Sequence, residues 1–176
     1  MTKPQISWQS IKPKLKNLTH TELLRVVSDL YALNNDNKHF LHARYQDSED
    51  KLTTYKAIIR KALFPTIERN QDVQLSLGRK AIRDYKKAIG DLKNTLELMV
   101  YYIECGNDFT LAYGDIDEAF YDSLISMFSD VVTNLKTTQD KSLLPFFLPR
   151  LQAVVHKARG MGWGYYDEIA DLLAKL

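Results

Sequence analysis

Cysteine is nearly absent: Cys105 stands alone among 176 residues, so the chain cannot form an internal disulfide. That excludes a disulfide-stapled secreted scaffold and suits a reducing compartment, which makes the cytoplasm the expected location. Long apolar runs are missing as well. Nothing approaches the roughly 18 uncharged apolar residues of a membrane span, and the opening Met-Thr-Lys-Pro-Gln-Ile-Ser-Trp has no apolar core of signal-peptide length. Neither export nor a membrane partner is expected. Glycine and proline are sparse, at seven and five residues, and therefore act as punctuation between elements.

Period-two alternation with β-branched enrichment is also absent, so no strand is expected. Apolar residues instead recur every three or four positions along the chain. At 45% apolar and 26% charged, the composition is that of a globular domain, and the length is enough to bury a core without metal or disulfide support. A single all-α domain over 1–176 follows, with 1–18 as a loosely ordered N-terminal segment. Seven to eight helices in antiparallel pairs are expected, as an irregular bundle or a short superhelical stack.

Helix boundaries can be read from capping chemistry. Thr19 and Glu22 have capping-box spacing and open a helix whose inward stripe would be Leu23, Val26, Val27, Leu30 and Tyr31. The tetrad Asn34 to Asn37 closes it, and a short helix follows over 39–45. The next, over 48–64, turns Leu52, Tyr55, Ile59, Ala62 and Leu63 inward and stops at Pro65. Further helices are expected over 76–89 and 91–105, the second apolar all round at Leu98 to Ile103 and therefore central, with Gly106 as its C′ residue. Asp115 and Glu118 repeat the capping-box spacing before a long helix ending near Lys136. Pro149 suits the first turn of a helix ending at Gly160, and a last helix runs over 165–175.

Net charge is only +2, but its distribution is uneven. Residues 1–93 hold 18 Lys and Arg against 10 Asp and Glu, whereas residues 94–176 hold 6 against 12. Such a dipolar chain can face an anionic partner on one side or meet its own kind head to tail. The sharpest local feature is Arg79, Lys80, Arg83, Lys86 and Lys87, which fall within an arc of roughly 120° on one helix. Ala81, Ile82, Tyr85, Ala88 and Ile89 occupy the opposite arc. This basic stripe is the candidate macromolecule-binding site. It suits an acidic protein, a phosphate backbone, or simply solvent.

Other groupings carry less chemistry. Asp108, Asp115, Asp117, Glu118 and Asp122 cluster near a helix start, where the helix dipole favours carboxylates without any ligand, and their spacing fails the calcium loop. His39 and His42 lack two further zinc ligands at a sensible spacing, and Cys105 has no histidine near it in sequence. Gly160-Met161-Gly162-Trp163-Gly164 has the wrong spacing and no preceding strand for a dinucleotide fingerprint, and is better read as a helix–helix turn with Trp163 packed over it. No catalytic residue, metal or cofactor is therefore assigned.

The segments Lys38-His39-Phe40-Leu41-His42-Ala43-Arg44-Tyr45, Ile82-Arg83-Asp84-Tyr85-Lys86-Lys87-Ala88 and Phe109-Thr110-Leu111-Ala112-Tyr113-Gly114-Asp115-Ile116-Asp117-Glu118 carry a resemblance over residues 15–135. There the chain resembles a bacterial family of small helical proteins described only as a domain of unknown function. The resemblance implies a helical fold and a bacterial source, and brings no activity. The expected function is a non-enzymatic interaction protein, an adaptor or regulatory subunit with a protein partner, docking through its charge-divided surface. The alternative is a sequence-nonspecific nucleic-acid binder acting through phosphate contacts.

Overall fold

A computed structural model describes residues 7–45, 48–65 and 72–176. Among these the chain forms nine α-helices and no strand: α1 (Trp8–Lys16), α2 (His20–Leu33), α3 (Asn35–Tyr45), α4 (Ser48–Leu63), α5 (Leu75–Ala88), α6 (Leu92–Tyr113), α7 (Glu118–Thr137), α8 (Leu143–Lys157) and α9 (Tyr165–Leu173). One more helix is present than expected, because α1 lies within the 1–18 segment. No described helix is long and apolar enough to cross a membrane.

The core is organised around α6 rather than around a row of helix pairs. This helix packs against α4, α5, α7 and α8, while α9 closes over α7 and α8. Leu96, Leu98, Val100, Tyr102 and Ile103 on α6 are fully buried, as its all-round apolar run requires. Ile59 and Leu63 from α4, Leu124, Phe128 and Val131 from α7, and Phe147 and Leu151 from α8 complete the same cluster.

Several boundaries differ from the sequence expectation: α3 already begins at Asn35 rather than at 39, within the segment expected only to close α2. Gly106 does not end α6 but lies inside it: a Cβ there would sit 2.6 Å from Leu124 Cδ2, so the missing side chain lets α7 approach closely. The helix stops instead at Gly114, whose φ of 90° favours glycine. Asp117, not Asp115, caps α7, accepting a 2.8 Å hydrogen bond from the Phe120 N–H. Helix α8 starts at Leu143, which places Pro145 in its first turn, where no intrahelical N–H is needed, and carries Pro149 inside.

The capping box that opens α2 is formed in full. Glu22 N–H donates to Thr19 Oγ1 at 3.3 Å, and Thr19 N–H donates back to the Glu22 carboxylate at 2.7 Å. The helix is therefore where its cap places it. Its packing is the surprise: none of the 14 residues of α2 is buried.

Candidate functional site

At about 100° per residue, Leu23, Leu24, Val26, Val27, Leu30, Tyr31 and Leu33 cover roughly half the circumference of α2. Helix α3 is the main neighbour, and it covers only part of that arc. Tyr31 stacks on His42 with ring centroids 5.6 Å apart, its hydroxyl 2.8 Å from His42 Nε2, and Asn37 Nδ2 donates to the Leu30 carbonyl. These contacts fasten α2 to α3 along one edge. The rest is open: Leu24 is 56% exposed, Leu33 72%, and Val27 and Leu30 are exposed as well. Six apolar residues of the α2 arc are thus exposed along one helix, more than the scattered single side chains a soluble surface ordinarily shows. Trp8 and Ile11 of α1, and Phe40 and Tyr45 of α3, add to the exposed apolar surface of these N-terminal helices. A stripe expected to face the core thus faces outward, because the core around α6 is already filled by α4, α5, α7 and α8.

Charge on this part of the chain is biased. Residues 7–45 hold six Lys and Arg against three acids. Of those acids, Glu22 is engaged in the capping box and Asp36 accepts from Lys80 Nζ at 2.6 Å. Asp36 is also held below the ordinary carboxylate range, first by its hydrogen bond to Lys80 and further by the charges of His39 and Lys87.

The five cations of α5 divide into two groups. Arg79 turns toward α7, donating from Nε to Ser123 Oγ at 3.0 Å and from Nη2 to the Ser123 carbonyl at 2.7 Å, with its guanidinium 5.8 Å above the Tyr102 ring. Lys80 bridges Asp36 and Asp84, and both hydrogen bonds raise its pKa. Arg83, Lys86 and Lys87 are exposed and form no ion pair or hydrogen bond among the described residues. The stripe is thus brought together on one helix face, with two members holding neighbouring helices and three turned to solvent.

The acidic grouping separates further. Asp108 is paired with Arg60 at 3.0 Å and Lys157 at 3.4 Å, and Asp117 caps α7. Asp115 accepts from the Tyr121 hydroxyl and, at 3.1 Å, from the Gly162 N–H, which ties the loop after α6 to the loop after α8; both bonds lower its pKa, the tyrosine first. Glu118 and Asp122 are exposed. Cys105 is buried, and burial pushes its thiol above the ordinary range, against hydrogen bonds from Arg60 and Tyr101 that lower it. No cluster of three metal-ligating side chains occurs among the described residues. The Gly160 to Gly164 turn joins α8 to α9 as expected, but Trp163 is 56% exposed, with a φ of 58°, and does not pack over it.

Sequence alone misses a band of charge between helices. Glu97 on α6 bonds Lys56 of α4 and Arg150 of α8, and Arg150 also reaches Glu104 at 2.7 Å. These pairs are 41 to 53 residues apart, so no local spacing announces them.

A family model described as a family of unknown function (DUF6155) matches residues 6–175. No curated protein and no solved structure matches the chain.

Proposed function

From the chain's membership of DUF6155, a family of unknown function, we propose a role that rests on its surface: a non-enzymatic interaction protein whose N-terminal helices dock a partner protein. The carrying observation is α2, a capped amphipathic helix with no buried residue. A free apolar arc of this size is unfavourable in water unless something covers it. The partner that fits is a segment with an apolar face and acidic flanks. Its apolar face would lie on Leu24, Val27, Leu30 and Leu33, and its acids would meet Lys12, Lys14, Lys16, Arg83, Lys86 and Lys87. Apolar anchors supply most of the affinity in such an interface, while rim charges steer encounter and set salt dependence.

A phosphate-tracking role for the α5 stripe is less well supported. With Arg79 bound to Ser123 and Lys80 held between two carboxylates, three of the five cations remain for backbone contacts.

The test uses the full chain as bait in its native cell extract, beside Leu24→Glu/Leu30→Glu and Arg83→Gln/Lys86→Gln/Lys87→Gln variants. The apolar double variant is expected to lose the stoichiometric partner while keeping its helical circular dichroism. The cation variant should retain it more weakly and with less salt dependence. A partner retained equally by all three baits refutes the assignment. Concentration-dependent self-association lost in the double variant would identify a second copy as the partner; Leu111, Tyr113, Ile116, Asp117 and Glu118 expose the required chemistry. Tight, salt-steep binding of a mixed-sequence duplex by the wild type, lost with the three cations, would replace the protein partner with nucleic acid.

A further inference from the structure

Besides the α2 arc, the end of α6 and the loops after α6 and α8 carry a second set of exposed apolar side chains, Leu111, Ile116 and Trp163. Leu111 lies two residues after Phe109, and so about 200° around α6 from the ring that packs on Phe64 of α4. The two loops are held together through one carboxylate. Asp115 accepts from the Gly162 N–H and from the Tyr121 hydroxyl, and the Tyr121 ring packs on Tyr165 at the start of α9. Ile116 and Trp163 each stand one residue from that clasp. Trp163 has a φ of 58°, the one positive value at a non-glycine among the described residues. An exposed indole held in a backbone state that side chains rarely adopt is better explained by a contact outside the chain than by packing within it.

Charge around the two patches is opposite in sign. Residues 109–122 contain Asp115, Asp117, Glu118 and Asp122 and no lysine, arginine or histidine, and residues 159–168 add Asp167 and Glu168 against Arg159. Apart from Asp115, which the clasp engages, all of these acids are exposed and free of ion pairs to described residues. Residues 7–45, which carry the α2 arc, have six Lys and Arg against three acids, and their three histidines can only add positive charge. Both patches are exposed in the same molecule, so they do not cover each other within one chain. Between chains each supplies what the other lacks, with apolar side chains on both sides, cations on one and carboxylates on the other.

We propose that the partner of the α2 face is a second copy of this chain, the basic N-terminal helices of one copy docking on the acidic corner around Trp163 of the next. This contact rests on the α2 reading given above and names its occupant. The two faces differ, so the contact is heterologous, and each copy keeps a free face for a further copy or for closure into a ring. Patches of a few apolar side chains fall among the small, transient interfaces. The copies therefore separate on dilution, and unfolding measured on dilute protein reads the single chain.

Sedimentation velocity of the full chain from low micromolar to near-millimolar concentration, at low and at moderate salt, tests the assignment. The average mass is expected to rise with concentration and to fall with salt. Leu24→Glu/Leu30→Glu on one face and Leu111→Lys/Glu118→Lys on the other should each stay monomeric alone, with helical circular dichroism intact. An equimolar mixture of the two should form a two-chain complex, because each retains the face the other has lost. Trp163→Gly should weaken self-association about tenfold, as for an aromatic anchor, while Tm stays the same or rises because glycine adopts this φ freely. A wild type that is monomeric throughout, a Trp163→Gly or Leu111→Lys/Glu118→Lys chain that self-associates like the wild type, or a mixture that gives no complex overturns the proposal. Capture from the native extract separates that failure from failure of the α2 reading. A monomeric wild type whose extract partner is lost with Leu24→Glu/Leu30→Glu overturns the second copy and leaves the α2 face to a different protein, and a partner that this variant keeps removes the face as well.

Discussion

Helices α2 and α6 carry similarly apolar sequences and have opposite fates. Twelve of the 22 residues of α6 are buried, against none of the 14 of α2. Both have sound N-caps, Thr19 for one and Asp91 for the other. The difference lies in what surrounds them. Helix α6 is enclosed by four neighbours, and α2 leans on α3 alone among its principal contacts. An apolar stripe therefore specifies which face of a helix seeks cover, and the remaining helices determine whether cover is present.

The comparison is broken most directly by truncating one leucine on each helix. Leu98→Ala removes a fully buried side chain from α6 and should cost about 2–5 kcal/mol in denaturant unfolding. Leu30→Ala on the exposed arc of α2 should stay within about 0.5 kcal/mol. Equal losses would mean that α2 is covered in solution, for instance by self-association.

A smaller effect separates the two regions by pH. Burial pushes the Glu97 pKa up, but Lys56 and Arg150 outweigh it and hold the group below 4.5. A carboxylate depressed in the folded state contributes stability at neutral pH that is lost as pH falls through its folded pKa. The melting temperature should therefore drop between about pH 5 and about pH 3, and Glu97→Gln should flatten part of that slope. An unchanged slope in the variant would show that the band joining α4, α6 and α8 does not couple to global unfolding.

The smallest effect is local. Thr19→Ala removes the α2 cap, worth about 1 kcal/mol, and should speed amide hydrogen exchange across α2 while leaving protection in α6 unchanged. Faster exchange in α6 to the same extent would show that the N-terminal helices and the core unfold as one unit.

Much of the fold was legible because its signals are local. The Thr19 to Glu22 capping box, the stop before Pro65, the inward face of α5 at Ala81, Ile82 and Tyr85, and the centrality of α6 are all written within a few turns of chain. Gly106 was misleading for the opposite reason. Helix-ending glycines and glycines that admit a neighbour look alike until Leu124 is placed against one of them. The candidate site was legible in part. The arc of five cations was visible, but the partners that hold Arg79 and Lys80 come from α3 and α7, 44 positions away. Only the Lys80 to Asp84 pair has a spacing that sequence reveals. Tyr55 was expected to point inward and does; that its hydroxyl lacks a partner depends on every element around it.

By itself the sequence determined an all-helical chain, most of its helix boundaries, the identity of each apolar face and the division of charge between its two halves. These follow from 3.6-residue periodicity, capping and composition, which act over a single turn or over the whole chain. Only the tertiary structure decided that the α2 stripe faces outward, that two of five basic residues are engaged by other helices, and that the loops after α6 and α8 are tied together beside an exposed Trp163. Each of these depends on side chains brought together from distant segments, and the cost of leaving a group uncovered or unpaired is set by neighbours that no local pattern names.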